Sequence, residues 1–134
     1  MDVNYIYILV ICVLYMTICL LYGKYRCNHK NFKDPFQTKL GIWDLDGWSM
    51  LHVTEFVILG FLFPKYFLFI ILLGIIWECM EFYVEYTKSD IFKGYGHCTT
   101  DEGNQVWWYG KISDLFCNLV GFGIGYSIRH YTNY

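Results

Sequence analysis

The chain has little charge. Asp, Glu, Lys and Arg make up 16% of its 134 residues, against roughly a quarter in soluble domains. It has no alanine, and its surplus of Ile, Tyr, Phe, Asn and Lys is what AT-rich codons produce. Part of the 22% aromatic content is therefore compositional, and no single Tyr or Phe carries a functional argument. A net charge of −2 gives no field that would gather nucleic acid. There is no Ser-His-Asp set, no nucleic-acid module and no glycine loop of the phosphate-binding kind. The glycines between Gly121 and Gly125 follow no strand, so they suit close helix packing better than a nucleotide site.

What is present is apolar sequence, 56% of the chain. Four stretches read as membrane-spanning helices, at about 5–22, 48–63, 66–84 and 112–128. Polar loops at 23–47 and 85–111 separate them, and Pro64-Lys65 allows only a tight helical hairpin. The expected fold class is all-α: a single multi-pass membrane domain over 1–134, a small bundle of four transmembrane helices. The first run reads as a retained anchor and not a cleaved signal, because Asp2 precedes it without any Lys or Arg and Tyr22-Gly23-Lys24 is no small-residue cleavage site.

Six cysteines do not suggest a disulfide framework here. Cys12, Cys19, Cys79 and Cys117 lie in apolar runs as small hydrophobes. Cys27 and Cys98 lie in polar loops near His29 and His97, but C-x-H and H-C are not standard zinc spacings. They read as two reduced thiols.

Loops 23–47 and 85–111 share one side of the membrane in a four-span chain. They hold eight of the ten Lys and Arg, so the positive-inside rule makes that side cytoplasmic. The same alternation sends His52 and Glu55, Glu78 and Glu81, and Asp114 and Asn118 to that face, at the loop-side ends of helices two, three and four. Each pair is spaced i, i+3 or i, i+4 and shares a helix face. Glu85 lies a turn further out, as ordinary solvated surface.

Ionisable groups at membrane depth are costly unless paired, hydrated or metal-bound. Several carboxylates in one layer call for a cation. Oxygen donors favour Ca²⁺, Mg²⁺ or Mn²⁺. The candidate metal ligands are Glu55, Glu78, Glu81, Asp114 and Asn118. His52, neutral near pH 7, is the candidate general base.

The order of these residues resembles the eukaryotic phosphatidylserine synthases that work by base exchange. The shared pattern is His52, then Trp77-Glu78-Cys79-Met80-Glu81, then Trp107-Trp108 with Asp114 six residues later, then Asn118 before Gly121. Short bacterial four-helix membrane proteins of unassigned function also resemble it. The similarity covers about Asp46 to Tyr126. Gln105 and Tyr109 stand where the family has acidic residues, so the chain is similar to a divergent, shortened relative. The resemblance implies Ca²⁺-dependent exchange of a phospholipid head group for free serine. It places His52, Glu78, Glu81 and Asp114 at active-site positions, with membrane lipid and serine as partners and no nucleic acid. Four helices are few for a lipid-sized cavity, which makes a homodimer a candidate. The alternative is a structural or assembly protein whose carboxylates bind a cation for stability. An ion pathway is disfavoured because the polar residues form one layer and do not thread the membrane.

Overall fold

The computed structural model describes residues 2–29, 33–87, 90–100, 103–106 and 108–132. The chain is mostly helical. Its four helices are α1 (Val3–Asn28), α2 (Gly47–Leu62), α3 (Phe67–Thr87) and α4 (Ile112–Thr132). A short antiparallel hairpin, β1 (His97–Thr100) and β2 (Gly103–Val106), pairs His97 with Val106 and Thr100 with Gly103. The hairpin amends the all-α expectation: the polar loop 85–111 contains β-branched Thr99-Thr100, which suit extended backbone. Two segments, α1 and Pro64–Thr87, are long and apolar enough to cross a bilayer, at 26 and 24 residues; α2 is a shorter apolar helix.

The chain forms two compact units. The first comprises residues up to Asp34 together with Cys79–Gly110. Here α1 runs six residues beyond its expected end, to Asn28. Asp2 caps its start by accepting from the Asn4 N–H, and Arg26 in its last turn complements the helix dipole. Arg26 pairs with the Asp34 carboxylate at 2.5 Å, and the Tyr22 hydroxyl donates to the other Asp34 oxygen at 2.7 Å. The added turn carries Cys27, the hairpin carries Cys98, and the two form a disulfide with Cα atoms 5.2 Å apart. This corrects the expectation of reduced thiols, which had no means of knowing that a hairpin would bring Cys98 to the end of α1. Trp108 is buried against the Phe92 ring, centroids 5.2 Å apart. Its neighbour Trp107 lies outside the described residues.

The second unit comprises Pro35–Glu78 and Lys111 to the C-terminus. Its frame is the pair α2 and α4, packed backbone to backbone. A Cβ on Gly121 would meet the Val53 carbonyl oxygen at 2.5 Å, and one on Gly125 would meet the Val57 carbonyl. The expected close approach at Gly121-x-x-x-Gly125 is therefore realised. Contacts rise together along both helices, from Ser49 with Asp114 to Phe61 with Arg129, so α2 and α4 run parallel. The Arg129 guanidinium donates to the Phe61 and Leu62 carbonyls at 2.7 and 2.9 Å, satisfying acceptors that the end of α2 leaves open. The first part of α3 runs the other way: Phe67 stacks edge-on against Phe122, and Gly74 lies against Phe56 and Asn118.

Candidate functional site

The starts of α2 and α4 and the middle of α3 converge on one buried cluster in the second unit. Asp46 opens α2 with a capping box: its Oδ1 accepts from the Ser49 N–H at 3.0 Å, while the Asp46 N–H donates to the Ser49 hydroxyl. That cap fixes Ser49 and, one turn on, His52. Lys111 and Asp114 stand at the start of α4, with Asn118 one turn further along the same stripe. Glu78 arrives from α3. Glu78 is 1% exposed, and Asp114 and Asn118 are each 2% exposed.

The hydrogen bonds set the chemistry. Asn118 Oδ1 lies 3.0 Å from His52 Nδ1. A carbonyl oxygen only accepts, so His52 carries its proton on Nδ1 and turns the lone pair of Nε2 inward. Nε2 lies 3.6 Å from Glu78 Oε1 and 3.9 Å from Asp114 Oδ2. Each outer oxygen is already engaged: Glu78 Oε2 accepts the Lys111 backbone N–H at 3.1 Å, and Asp114 Oδ1 accepts the Ser49 hydroxyl at 2.5 Å. Glu78 Oε1 is buried with no hydrogen-bond partner among the described residues. A buried carboxylate oxygen left that way costs free energy unless a donor, a proton or a cation satisfies it.

His52, Glu78 and Asp114 can each offer one ligand atom, all within 4.8 Å of one another. With edges of 3.6 and 3.9 Å at His52 Nε2 and the third no longer than 4.8 Å, a point roughly 2.0–2.4 Å from all three atoms exists, which is a metal–ligand distance. The three are held by the capping box, by Asn118 and by the start of α4, an outer shell of the kind that orients ligands.

Of the expected site residues, His52, Glu78, Asp114 and Asn118 come together. Asn118 turns its oxygen to His52, which makes it an orienting residue. Glu55, one turn beyond His52 and only partly buried, is outside the three-residue group. Glu81 is 8% exposed and belongs to the first unit, also outside that group. Sequence reasoning missed two participants. Ser49 was signalled by its place three residues before His52, and Lys111 by its place three before Asp114. The Lys111 ammonium lies 2.7 Å from Asp46 Oδ2, 3.3 Å from the Ser49 hydroxyl and 3.8 Å from Asp114 Oδ2. Compared with protein-family models, curated proteins and solved structures, the chain matches none.

Proposed function

We propose that the chain is a four-span membrane protein whose loop-side helix ends hold a divalent cation and catalyse phospholipid head-group exchange of the phosphatidylserine synthase type. The observation that carries this is the buried group His52, Glu78 and Asp114, with a Glu78 oxygen that no donor among the described residues satisfies. The parallel course of α2 and α4, with α3 reversed between them in sequence, is what alternating spans require. The four-residue order that resembles the synthases supports the choice of substrate.

Glu78 Oε1 and Asp114 Oδ2 would hold the cation, and the lone pair of His52 Nε2 beside them would stay free of it. This pair of carboxylate oxygens suits Ca²⁺, Mg²⁺ or Mn²⁺. When bound, the ion supplies positive charge for the non-bridging oxygens of a lipid phosphodiester. His52 supplies the base. Its Nε2 lone pair takes the proton of the serine hydroxyl as that oxygen forms its bond to phosphorus. The bond from phosphorus to the departing head-group alcohol breaks, and the proton passes from Nε2 to that alcohol. Asn118 keeps the ring in the tautomer this requires.

The test is reconstitution of the purified protein into phosphatidylcholine or phosphatidylethanolamine vesicles with labelled serine and either Ca²⁺ or Mn²⁺. Label should enter lipid in wild type and not in His52→Ala or with chelator. A protein that binds the cation yet exchanges no more than His52→Ala is not this enzyme. Such a result would support the structural role, in which the ion only ties the three helices together.

A further inference from the structure

Beside the His52, Glu78 and Asp114 group stands a second arrangement that no metal needs to fill. The Lys111 ammonium is buried and faces oxygens. It donates to Asp46 Oδ2 at 2.7 Å, to the Ser49 hydroxyl at 3.3 Å and to the Asp44 carbonyl at 3.4 Å. Asp114 Oδ2 stands 3.8 Å away without a hydrogen bond. Two carboxylates, a hydroxyl and a backbone carbonyl are the donors a hard cation collects.

Asp114 joins the two arrangements. Its Oδ2 is 3.8 Å from Lys111 Nζ and 3.9 Å from His52 Nε2, so one oxygen faces both positions. Carboxylates that look toward two adjacent cations are the core of two-metal sites. Within this set of side chains the charges favour one ion. Ionised Asp46, Glu78 and Asp114 bring three negative charges, Lys111 returns one positive charge, and neutral His52 adds none. The remainder is two negative charges, which one divalent ion balances.

We propose that the Lys111 ammonium is a resident cation in the second seat of a carboxylate centre otherwise built for two ions, and that it limits the centre to one divalent ion. This rests on the metal-binding reading of His52, Glu78 and Asp114. It adds a role for Asp46, Ser49 and Lys111 that the exchange chemistry does not require. It also makes Lys111 more than the anchor of α4, because an anchor can be replaced without changing what the site binds.

The experiment is Mn²⁺ stoichiometry by equilibrium dialysis of the full chain in detergent, with electron paramagnetic resonance to separate isolated from coupled ions. Wild type and Lys111→Arg should bind one Mn²⁺ per chain with an isolated six-line spectrum. Lys111→Met should bind two, with the broadened spectrum of a coupled pair. Adding Asp46→Asn to Lys111→Met should return the count to one. A count of one in Lys111→Met overturns the proposal. So does a second ion that survives Asp46→Asn, since it would then sit elsewhere. Wild type that takes no ion defeats the site reading itself, and this inference with it. Should Lys111→Met unfold in chelator, Mn²⁺ or Mg²⁺ should restore its melting transition to that of wild type. Failure of both ions to do so is equally fatal.

Discussion

Replacing Glu78 with Gln should stabilise the cation-free protein while removing its response to cations. Glu78 Oε1 is buried, has no hydrogen-bond partner among the described residues and lies 3.6 Å from the Nε2 lone pair of His52. Two electron-rich atoms therefore face each other. In Glu78→Gln the remaining oxygen can still accept the Lys111 backbone N–H, as Oε2 does at 3.1 Å. The new amide N–H can donate to His52 Nε2, giving the lone pair and the former orphan a common partner. Leaving a buried polar group unsatisfied costs about 1–3 kcal/mol, more when it is charged. Removing that cost should raise Tm by roughly 3–10 °C in chelator. The charge that holds the ion disappears at the same time.

Thermal unfolding in detergent, with EDTA and with millimolar Mn²⁺ or Ca²⁺, separates these effects. Wild type should melt lower than Glu78→Gln in EDTA and gain several degrees on adding cation, as any ligand that binds only the folded state requires. Glu78→Gln should not move. Most buried-polar substitutions destabilise, so a gain is an informative sign. If Glu78→Gln melts well below wild type in EDTA, the carboxylate is a satisfied structural group, and the argument from its orphaned oxygen collapses.

Three further outcomes follow from other parts of the fold. Asn118→Leu should lower cation affinity about 10–100-fold, the usual cost of losing an orienting partner, with Asn118→Asp retaining more of it; Mn²⁺ titration reads both. Gly125→Leu should cost at least about 1–3 kcal/mol by forcing α4 off the Val57 carbonyl, whereas Gly123→Ala, where a Cβ meets nothing within 4 Å, should be near neutral; melting curves compare them. Removing the disulfide with Cys27→Ser should cost up to about 4 kcal/mol for a cross-link spanning 71 residues, and leave Mn²⁺ stoichiometry unchanged because the bond lies in the other unit. Maleimide labelling of native membranes before and after reduction tests that bond directly. If it is found oxidised, loops 23–47 and 85–111 face an oxidising compartment and the cytoplasmic assignment from the basic residues is reversed.

The helix-borne part of the site was legible because it depends on two regularities. Spacing of three or four residues puts pairs on one face, and the reversal of α3 between parallel α2 and α4 brings Glu78 level with His52 and Asp114. That found His52, Glu78, Asp114 and Asn118, and the glycine contact at Gly121 and Gly125. Spacing alone could not rank acids on neighbouring turns. Glu55 and Glu81 fit the same periodicity as their partners, and only packing separates them from the group. Lys111 was read as one loop charge among eight; its seat on Asp46 depends on where α4 starts and on the cap of α2, contacts across more than sixty positions. The Cys27–Cys98 bond was hidden for the same reason, whereas the hairpin is local and left little signal because its strands are only four residues each. Pairings over long separations leave no periodic trace.

The location of the site follows from the physics of the helix ends. With α2 and α4 parallel, both N-termini lie at one end of the second unit, and their open N–H groups give that end positive potential. Asp46 caps α2, Asp114 lies in the first turn of α4, and Glu78 accepts the N–H of Lys111 at the start of α4. All three carboxylates are thus placed where a helix terminus already favours negative charge. Glu78 is the one that must reach there from a helix of opposite direction. Gly74, one turn back on α3, lets it do so: a Cβ there would meet Asn118 Nδ2 at 2.9 Å and the Phe56 ring at 2.8 Å. Any larger residue would lever α3 away from His52 and Asp114. Gly74→Val should therefore abolish cation binding by separating the ligands, even though it alters none of them, while Glu78→Gln abolishes it with α3 still in place. Cross-linking between cysteines introduced at Phe67 and Phe122, whose rings now lie 5.1 Å apart, should fail only in Gly74→Val. If Gly74→Val keeps both the cross-link and the cation, close approach of α3 is not what assembles the site.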